Sequence, residues 1–513
     1  MTPTTFAVAS PHHLATQAGE DTFRAGGNAI DAAITAAAVL TVVYPNNTAL
    51  GGDLVALVRT PDGAVRCVNA TGPAPARQTL ERLRGLHGDE LPMRGIDTVT
   101  VPGGVRGWAS LRSFGARLEW AAHFTAAIRA AADGAPVGRS LGAAIAEKRD
   151  VLAADPGCSQ VFLPGGVPLA EGDPLVQPAL ARTLTELQQG GPDAFYRGAL
   201  GRRLAAGLAG LGSVMTPDDL AAFEPEIAEP LRGEFRGHEV ITSPPNTQGF
   251  VLLRALDRLR RLGDPADVLG AGAGRLAAVF AAATAVRDHL LADPRFAEVD
   301  SAELMSRDLP VEERPAGPAR VGGDTVGISA IDSDGYAVSL IQSVYNSFGS
   351  AVLEPSTGIL MQNRGRSFSL DPRSPNVVAP GKRPRHTLMP VLVTREGQVR
   401  WVSSTMGGHG QPQIHTQLLL RSMAGEPPAQ AVDAPRWIVG VQESGDTNET
   451  VYVEGDVPSE TARSLARHGF VAKPVPPHDE WLGHANLIAA GPGGRFEAAS
   501  DPRSDGSAVV GRR

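Results

Sequence analysis

In the stretch RVGGDTVGISAIDSDGYAVSLIQSVYNSFGS, Arg320 to Ser350, two hydroxyl residues are spaced so that they could act together. Thr325 opens an alternating run directly after Gly322, Gly323 and Asp324. Asp332-Ser333-Asp334-Gly335-Tyr336 suits a three-residue hairpin loop with Gly335 in the left-handed conformation. With Asp332 opposite Tyr336, paired numbers sum to 668, so Thr325 is predicted to face Ser343, with Cβ atoms about 4.5–5.5 Å apart. A threonine hydroxyl is a weak nucleophile and needs a base. Cutting the 324–325 bond would give Thr325 a free α-amine, whose ordinary pKa of about 7.7–8.0 suits a base at neutral pH. Attack of the Thr325 hydroxyl on the Asp324 carbonyl is a route to that cut. The same threonine reads equally as a β-favouring residue at a strand start, and these features alone leave both readings open.

The elements that must position this pair follow from periodicity. GGNAIDAAITAAAVLTVVYP predicts a buried Ala-rich helix, a Pro-Asn-Asn loop follows, and DLVALVRT and AVRCVNA around Pro-Asp-Gly form a hairpin. A helical middle is expected from about Leu80 to Leu291, with Gly- and Pro-rich connections such as TSPPNTQG, a rigid loop near a cleft. Asp293 to Gly323 reads as an exposed connector, charged and interrupted by proline. Beyond it the strands QVRWVSSTM, TVYVE, NLIAAG and RFEAAS alternate with helical stretches, so the fold class is α+β or a layered α/β/β/α arrangement.

Composition narrows the function. The 513 residues carry a net charge of −8, and Lys148, Lys382 and Lys473 are the only lysines, which argues against a nucleic-acid partner. Two cysteines, Cys67 and Cys158, make neither a disulfide framework nor a thiolate metal site. The N-terminal stretch lacks the basic and apolar regions of a signal peptide, so a cytoplasmic location is expected. The longest apolar run contains Asp31 and is shorter than the roughly 20 residues of a membrane span. His409 and His415 invite a metal reading but lack an evident third ligand.

The segments AGGNAIDAAITAAAVLTVVYPNNTALGGDLVALV, VTVPGGVRGW, GGPDAFYRGALGRRLAAGL, MTPDDLAAFEP, DTVGISAIDSDGYAVSLIQSVYNSFGS, GILMQNR, SSTMGGHGQPQ and SDPRSDGSA occur in order along nearly the whole chain. Together they resemble the γ-glutamyltransferase family of N-terminal nucleophile hydrolases, nearer its oxamate-amidohydrolase-like subgroup. The resemblance implies an α+β, four-layer αββα sandwich, made as one precursor and self-cleaved between Asp324 and Thr325. The large subunit would be 1–324 and the small, strand-rich one 325–513, intertwined as one domain, with a homodimer of these left open. Thr325 matches the family's nucleophile and Ser343 its hydroxyl partner. Gly407 and Gly408 match the pair whose amides form the oxyanion hole. The resemblance implies a small-molecule substrate, no membrane, no metal and no cofactor.

The reader of a γ-glutamyl group is altered. Thr71 stands where the family has an arginine, Ser367 near its substrate-binding Asp, Arg364 at its Gln, His386 and Thr387 at its paired serines, and Tyr345 at its Asn. A carboxylate clamp favours a guanidinium, so Tyr345, Arg364, His386 and Thr387 are expected to form a pocket for an acid, with cationic or neutral groups and no requirement for an amino acid. The expected activity is hydrolysis of, or acyl transfer from, a small acidic amide. Two further readings stand beside it: γ-glutamyl transfer through a rebuilt pocket, and a silent relative acting as a scaffold.

Overall fold

The hairpin forms with the expected register. In the computed structural model, which describes residues 4–263, 267–268, 270–307, 324–441 and 445–513, Ile331 pairs with Ala337 and the ladder continues to Val326 opposite Gln342. Gly335 turns the chain at φ 103°.

Thirteen strands build the two sheets that enclose the core. In chain order they are β1 (Thr5–Ser10), β2 (Asp53–Arg59), β3 (Val65–Ala70), β4 (Glu226–Ala228), β5 (Leu231–Phe235), β6 (His238–Thr242), β7 (Asp324–Asp332), β8 (Ala337–Tyr345), β9 (Val391–Arg395), β10 (Gln398–Thr405), β11 (Ala485–Gly491), β12 (Arg495–Ser500) and β13 (Ser507–Arg512). One sheet runs β13-β1-β7-β8-β2-β3-β4 and the other β12-β11-β10-β9-β6-β5.

Strand alternation sorts the side chains into layers. Val55, Leu57, Ile331 and Ile341 of the first sheet meet Ile241, Leu392, Val402 and Ile488 of the second between the sheets. Full burial of each such side chain contributes about 1.5–3 kcal/mol. The opposite faces, with Leu54, Ile328 and Leu340 on one sheet and Val391 and Leu487 on the other, pack under helices. Helices α1 (His13–Arg24), α2 (Ala29–Val43), α3 (Thr125–Asp133) and α4 (Pro178–Tyr196) cover the first sheet. Helices α5 (Gly249–Leu262), α6 (Ala273–Leu290) and α7 (Gln411–Met423) cover the second. The result is the four-layer αββα sandwich.

Helix α2 shows how a charge is tolerated in the core. All fifteen of its residues are buried. Asn28 and Asp31 close a capping box at its start, and the Asp31 carboxylate also accepts the amides of Arg117 (2.8 Å) and Leu118 (3.1 Å), so the one acidic group is fully employed.

Two expectations need correction. The helical middle contains β4, β5 and β6; β5 and β6 are joined through Arg236 and Gly237, both at positive φ, a two-residue loop of the kind that favours hairpins. Asp293, the start of the expected exposed connector, is buried and pairs with Arg295 at 2.6 Å and Arg383 at 3.0 Å. Residues 308–323 of that connector lie outside the described residues.

Candidate functional site

The hydroxyl pair lies at one end of the layer between the sheets. Thr325 is fully buried and its Oγ1 donates to Ser343 Oγ at 3.0 Å. Ser343 Oγ in turn donates to the Asp324 carbonyl oxygen at 2.7 Å and accepts the Tyr345 amide at 2.8 Å. A serine hydroxyl offers one donor and two acceptor sites. A carbonyl only accepts and an amide only donates, so the three bonds force the Thr325 proton toward Ser343. The contact arises through a register change rather than a regular pair, because Tyr345 stands opposite Asp324. The bulge puts Tyr345 at φ 83°, a conformation non-glycine residues adopt at a cost of about 1–3 kcal/mol. Asn47, from the Pro-Asn-Asn loop, donates to the Thr325 carbonyl at 3.3 Å, and its own carbonyl accepts the Val344 amide.

The second sheet approaches from across the layer. A Cβ on Gly327 would lie 2.7 Å from the Thr405 nitrogen, so glycine is required where β7 crosses β10. Ser329 Oγ reaches Ser404 Oγ at 2.9 Å, and Asn486 Nδ2 donates to the Gly327 carbonyl at 2.9 Å. This crossing brings the end of β10, and with it Gly407 and Gly408, to the Thr325 end of the sandwich. Gly407 has φ 140° and Gly408 φ 50°, and among the described residues neither amide is engaged by a carbonyl. Gln248 fixes this turn by donating to the carbonyls of Gly408 (2.8 Å) and Thr387 (2.7 Å), while its Oε1 accepts from Arg287 at 2.9 Å. The PPNTQG loop, to which sequence reasoning gave no role, thus ties two site segments together.

The expected substrate pocket assembles in part. Arg364 is fully buried; its guanidinium lies 3.9 Å above the Tyr345 ring and its Nη1 donates to Thr387 Oγ1 at 3.1 Å. Among the described residues its Nε and Nη2 have no hydrogen-bond partner. Burial lowers its pKa to about 10, which leaves it charged at neutral pH. Tyr345, Arg364 and Thr387 therefore form one cluster.

His386 turns away from a cationic role. Its Nδ1 accepts the Leu388 amide at 3.3 Å, so the ring proton is on Nε2, which donates to Asp53 Oδ2 at 3.1 Å. Burial, then the charges of Arg364 and Arg383, push its pKa well below the ordinary histidine range. It is a neutral donor. Thr71 bonds Asn69 and Asn246 rather than opening to solvent.

Sequence reasoning missed Asp53. It is fully buried at the start of β2, directly opposite Ser343 in the ladder. Thr325, Ser343 and Asp53 therefore form a polar row on one face of three adjacent strands. Asp53 Oδ1 accepts from the Gly72 amide (3.0 Å) and Gln362 Nε2 (2.8 Å). Burial raises its pKa to about 7, opposed by Gln362 and the Arg364 charge. Among the described residues, no group of three His, Cys, Asp or Glu side chains is placed to hold a metal ion, and no helix is long and apolar enough to cross a membrane.

Two facing sheets between helical layers, with a hydroxyl-bearing strand start at one end of the layer between them, define an N-terminal nucleophile hydrolase sandwich. Comparison with solved structures agrees: a cephalosporin acylase from Bacillus halodurans superposes with a TM-score of 0.89 and 34% identity, over 99% of this chain and 96% of that one. Among curated proteins, the glutathione hydrolase-like YwrD proenzyme of Bacillus subtilis is 37% identical over 98% of both chains. The oxamate amidohydrolase proenzyme of Klebsiella pneumoniae is also 37% identical, over 98% of this chain and 97% of its own. The family model for gamma-glutamyltranspeptidase matches residues 15–511. The chain belongs to the γ-glutamyltranspeptidase family, and it is an enzyme of the hydrolase and acyltransferase class that this family comprises.

Proposed function

We propose that the chain is a proenzyme that cuts itself between Asp324 and Thr325 and then hydrolyses the amide bond of a small acidic substrate through an acyl-threonine ester. The observation that carries the acidic-substrate reading is Arg364: a fully buried guanidinium with two unpaired donor atoms, clustered with the residue that holds the hydroxyl partner of Thr325. A buried charge without a partner is costly, and a substrate carboxylate supplies the missing acceptor in a paired, charge-assisted geometry. Relatives named oxamate amidohydrolase and cephalosporin acylase support amide hydrolysis by this scaffold.

The processing step begins at the bonded row. Thr325 Oγ1 attacks the Asp324 carbonyl carbon while Ser343 Oγ polarises the carbonyl oxygen. The proton lost by Oγ1 passes by way of Ser343 to the departing nitrogen, the peptide C–N bond breaks, and an ester joins Asp324 to Thr325. Water then cleaves the ester, leaving an Asp324 carboxylate and a Thr325 with a free amine. Strands from the two resulting pieces alternate within the first sheet, where β1 lies between β13 and β7, so the pieces remain one intertwined domain. In turnover the Thr325 amine accepts the Oγ1 proton and Oγ1 attacks the substrate carbonyl. The Gly407 and Gly408 amides hold the oxyanion, and the leaving amine departs with the proton. Water completes hydrolysis, or an acceptor amine completes transfer.

The test is a substrate panel on the processed enzyme: oxamate and other small acid amides, neutral amides of equal size, and a γ-glutamyl anilide. Turnover of acid amides far above neutral ones supports the reading; preference for neutral amides, or for the anilide alone, contradicts it.

A further inference from the structure

The row Thr325, Ser343, Asp53 places a carboxyl group beside the chemistry that neither nucleophilic attack nor oxyanion binding uses. Asp53 is fully buried, and several elements pack against it, including the Gly103 amide at the start of the helix that follows. The loop after β3 gives the Gly72 amide, the segment after Leu360 gives Gln362 and Arg364, and the segment before β9 gives His386. β8 gives Ser343 across the ladder. Helix α4 gives Tyr196, whose phenol burial keeps neutral. His386 is itself neutral, and Arg383 beyond it is engaged by Asp293 and Glu226. Among the described residues Arg364 makes no ion pair with a carboxylate, and its charge and that of Asp53 act on each other.

We propose that Asp53 is the specificity-determining partner of Arg364: it takes up a proton when a substrate carboxylate docks on the guanidinium, so that the buried site never holds two anions against one cation. The inference rests on the acidic-amide reading above. Charges a few ångströms apart in a partly buried site interact strongly, and docking a second carboxylate raises the cost of keeping Asp53 ionised. Burial raises the Asp53 pKa to about 7, so the proton is available at modest cost. The Gly72 amide and Gln362 Nε2 occupy both acceptor positions of Oδ1, whereas among the described residues Oδ2 accepts a hydrogen bond only from His386 Nε2–H, so Oδ2 has the position for the added proton and the carboxyl stays in place in either state. The consequence is a pocket that accepts one carboxylate readily at or below neutral pH and progressively less well above it.

The probe is propionate, a monoanion lacking an amide, used as a competitive inhibitor of the processed enzyme from pH 6 to 9. The inhibition constant is expected to be nearly level below about pH 7 and to rise about tenfold per pH unit above it, as for one proton bound with the ligand. Calorimetry at pH 8 in phosphate and in Tris should register uptake of close to one proton. An ordinary α-amine titrates in a neighbouring range, so the discriminating observations concern the carboxyl. Infrared difference spectra should show a new protonated-carboxyl C=O band on propionate binding, and Asp53→Asn should abolish both that band and the pH dependence. Propionate that binds through Arg364, weakened by Arg364→Gln, without a new carboxyl band overturns the role of Asp53 alone. Propionate binding that is indifferent to Arg364→Gln overturns the acidic-amide reading beneath it. Should Asp53→Asn fail to fold, the wild-type infrared measurement decides.

Discussion

Replacing Arg364 by Gln tests the recognition of the acid directly. The guanidinium is fully buried, bonds Thr387 at 3.1 Å, stacks on Tyr345 at 3.9 Å, and has Nε and Nη2 free for a ligand. Two charge-assisted hydrogen bonds to a carboxylate, at about 1.5–3 kcal/mol each, set an upper range of about 3–6 kcal/mol for their joint loss. Glutamine recovers part of this through its own amide donor, so an effect of about 2–4 kcal/mol is expected, which is roughly 30- to 1,000-fold in kcat/KM. The loss should fall mainly on KM, because the guanidinium contacts a non-reacting part of the substrate in both ground and transition states. Arg364→Lys keeps a charge but loses the paired geometry and should lie between the two. Initial rates with an acid amide and with its neutral counterpart, measured on fully processed protein, separate specificity from damage: the neutral amide should change by less than about threefold. Equal losses for both substrates, or no loss for the acid, would exclude recognition of the acid by Arg364.

Ser343→Ala removes the donor to the Asp324 carbonyl and the acceptor of the Thr325 proton, and self-cleavage should slow by about 10²–10³, followed as the appearance of the smaller fragment on denaturing gels; Ser343→Thr should retain most of the rate. Gly407→Ala places a Cβ 2.4 Å from Ile414 Cδ1 at φ 140°, and kcat together with the melting temperature should fall. Gln248→Ala unties the Thr387 and Gly408 carbonyls and removes a partner of Arg287, a loss of about 1–3 kcal/mol that calorimetric unfolding would register. The Asp53 carboxyl has a folded-state pKa of about 7 against about 3.9 unfolded. The folded chain therefore retains a proton that the unfolded chain releases, and this contribution, full below about pH 4, is lost as pH rises through about 7. In urea titrations Asp53→Asn should flatten the decline in stability between those values, and an unchanged slope would contradict the assignment.

The chemistry and its supports were unequally legible in the sequence. Thr325 and Ser343 were placed together by counting pairs outward from Gly335, since hairpin register is local; the bulge that perfects the contact is not, as it depends on Ser343 capturing the Tyr345 amide. Helix α2 was readable from its alanines, whereas the capping box that employs its Asp31 emerges from the structure. Gly407 and Gly408 could be singled out only through the family resemblance, because a glycine pair after a strand also describes an ordinary turn. Asp53 escaped notice for a physical reason: it begins an alternating apolar strand, and its partners Gln362 and His386 lie some three hundred residues further along the chain. Its position opposite Ser343 requires knowing that β8 pairs with β2, a non-local ladder. The charge of Arg364 was visible, but its two unpaired donors are a property of the packed cluster. The β5–β6 hairpin was missed although Arg236-Gly237 between alternating runs is a hairpin signal.

Intact-mass analysis with N-terminal sequencing of the purified protein asks whether Thr325 becomes a nucleophile by becoming an N-terminus. Two chains are expected, the smaller beginning at Thr325, with Thr325→Ala giving one uncut, inactive chain. A wild-type protein that stays as a single intact chain while turning over its amide substrate at full rate would contradict it.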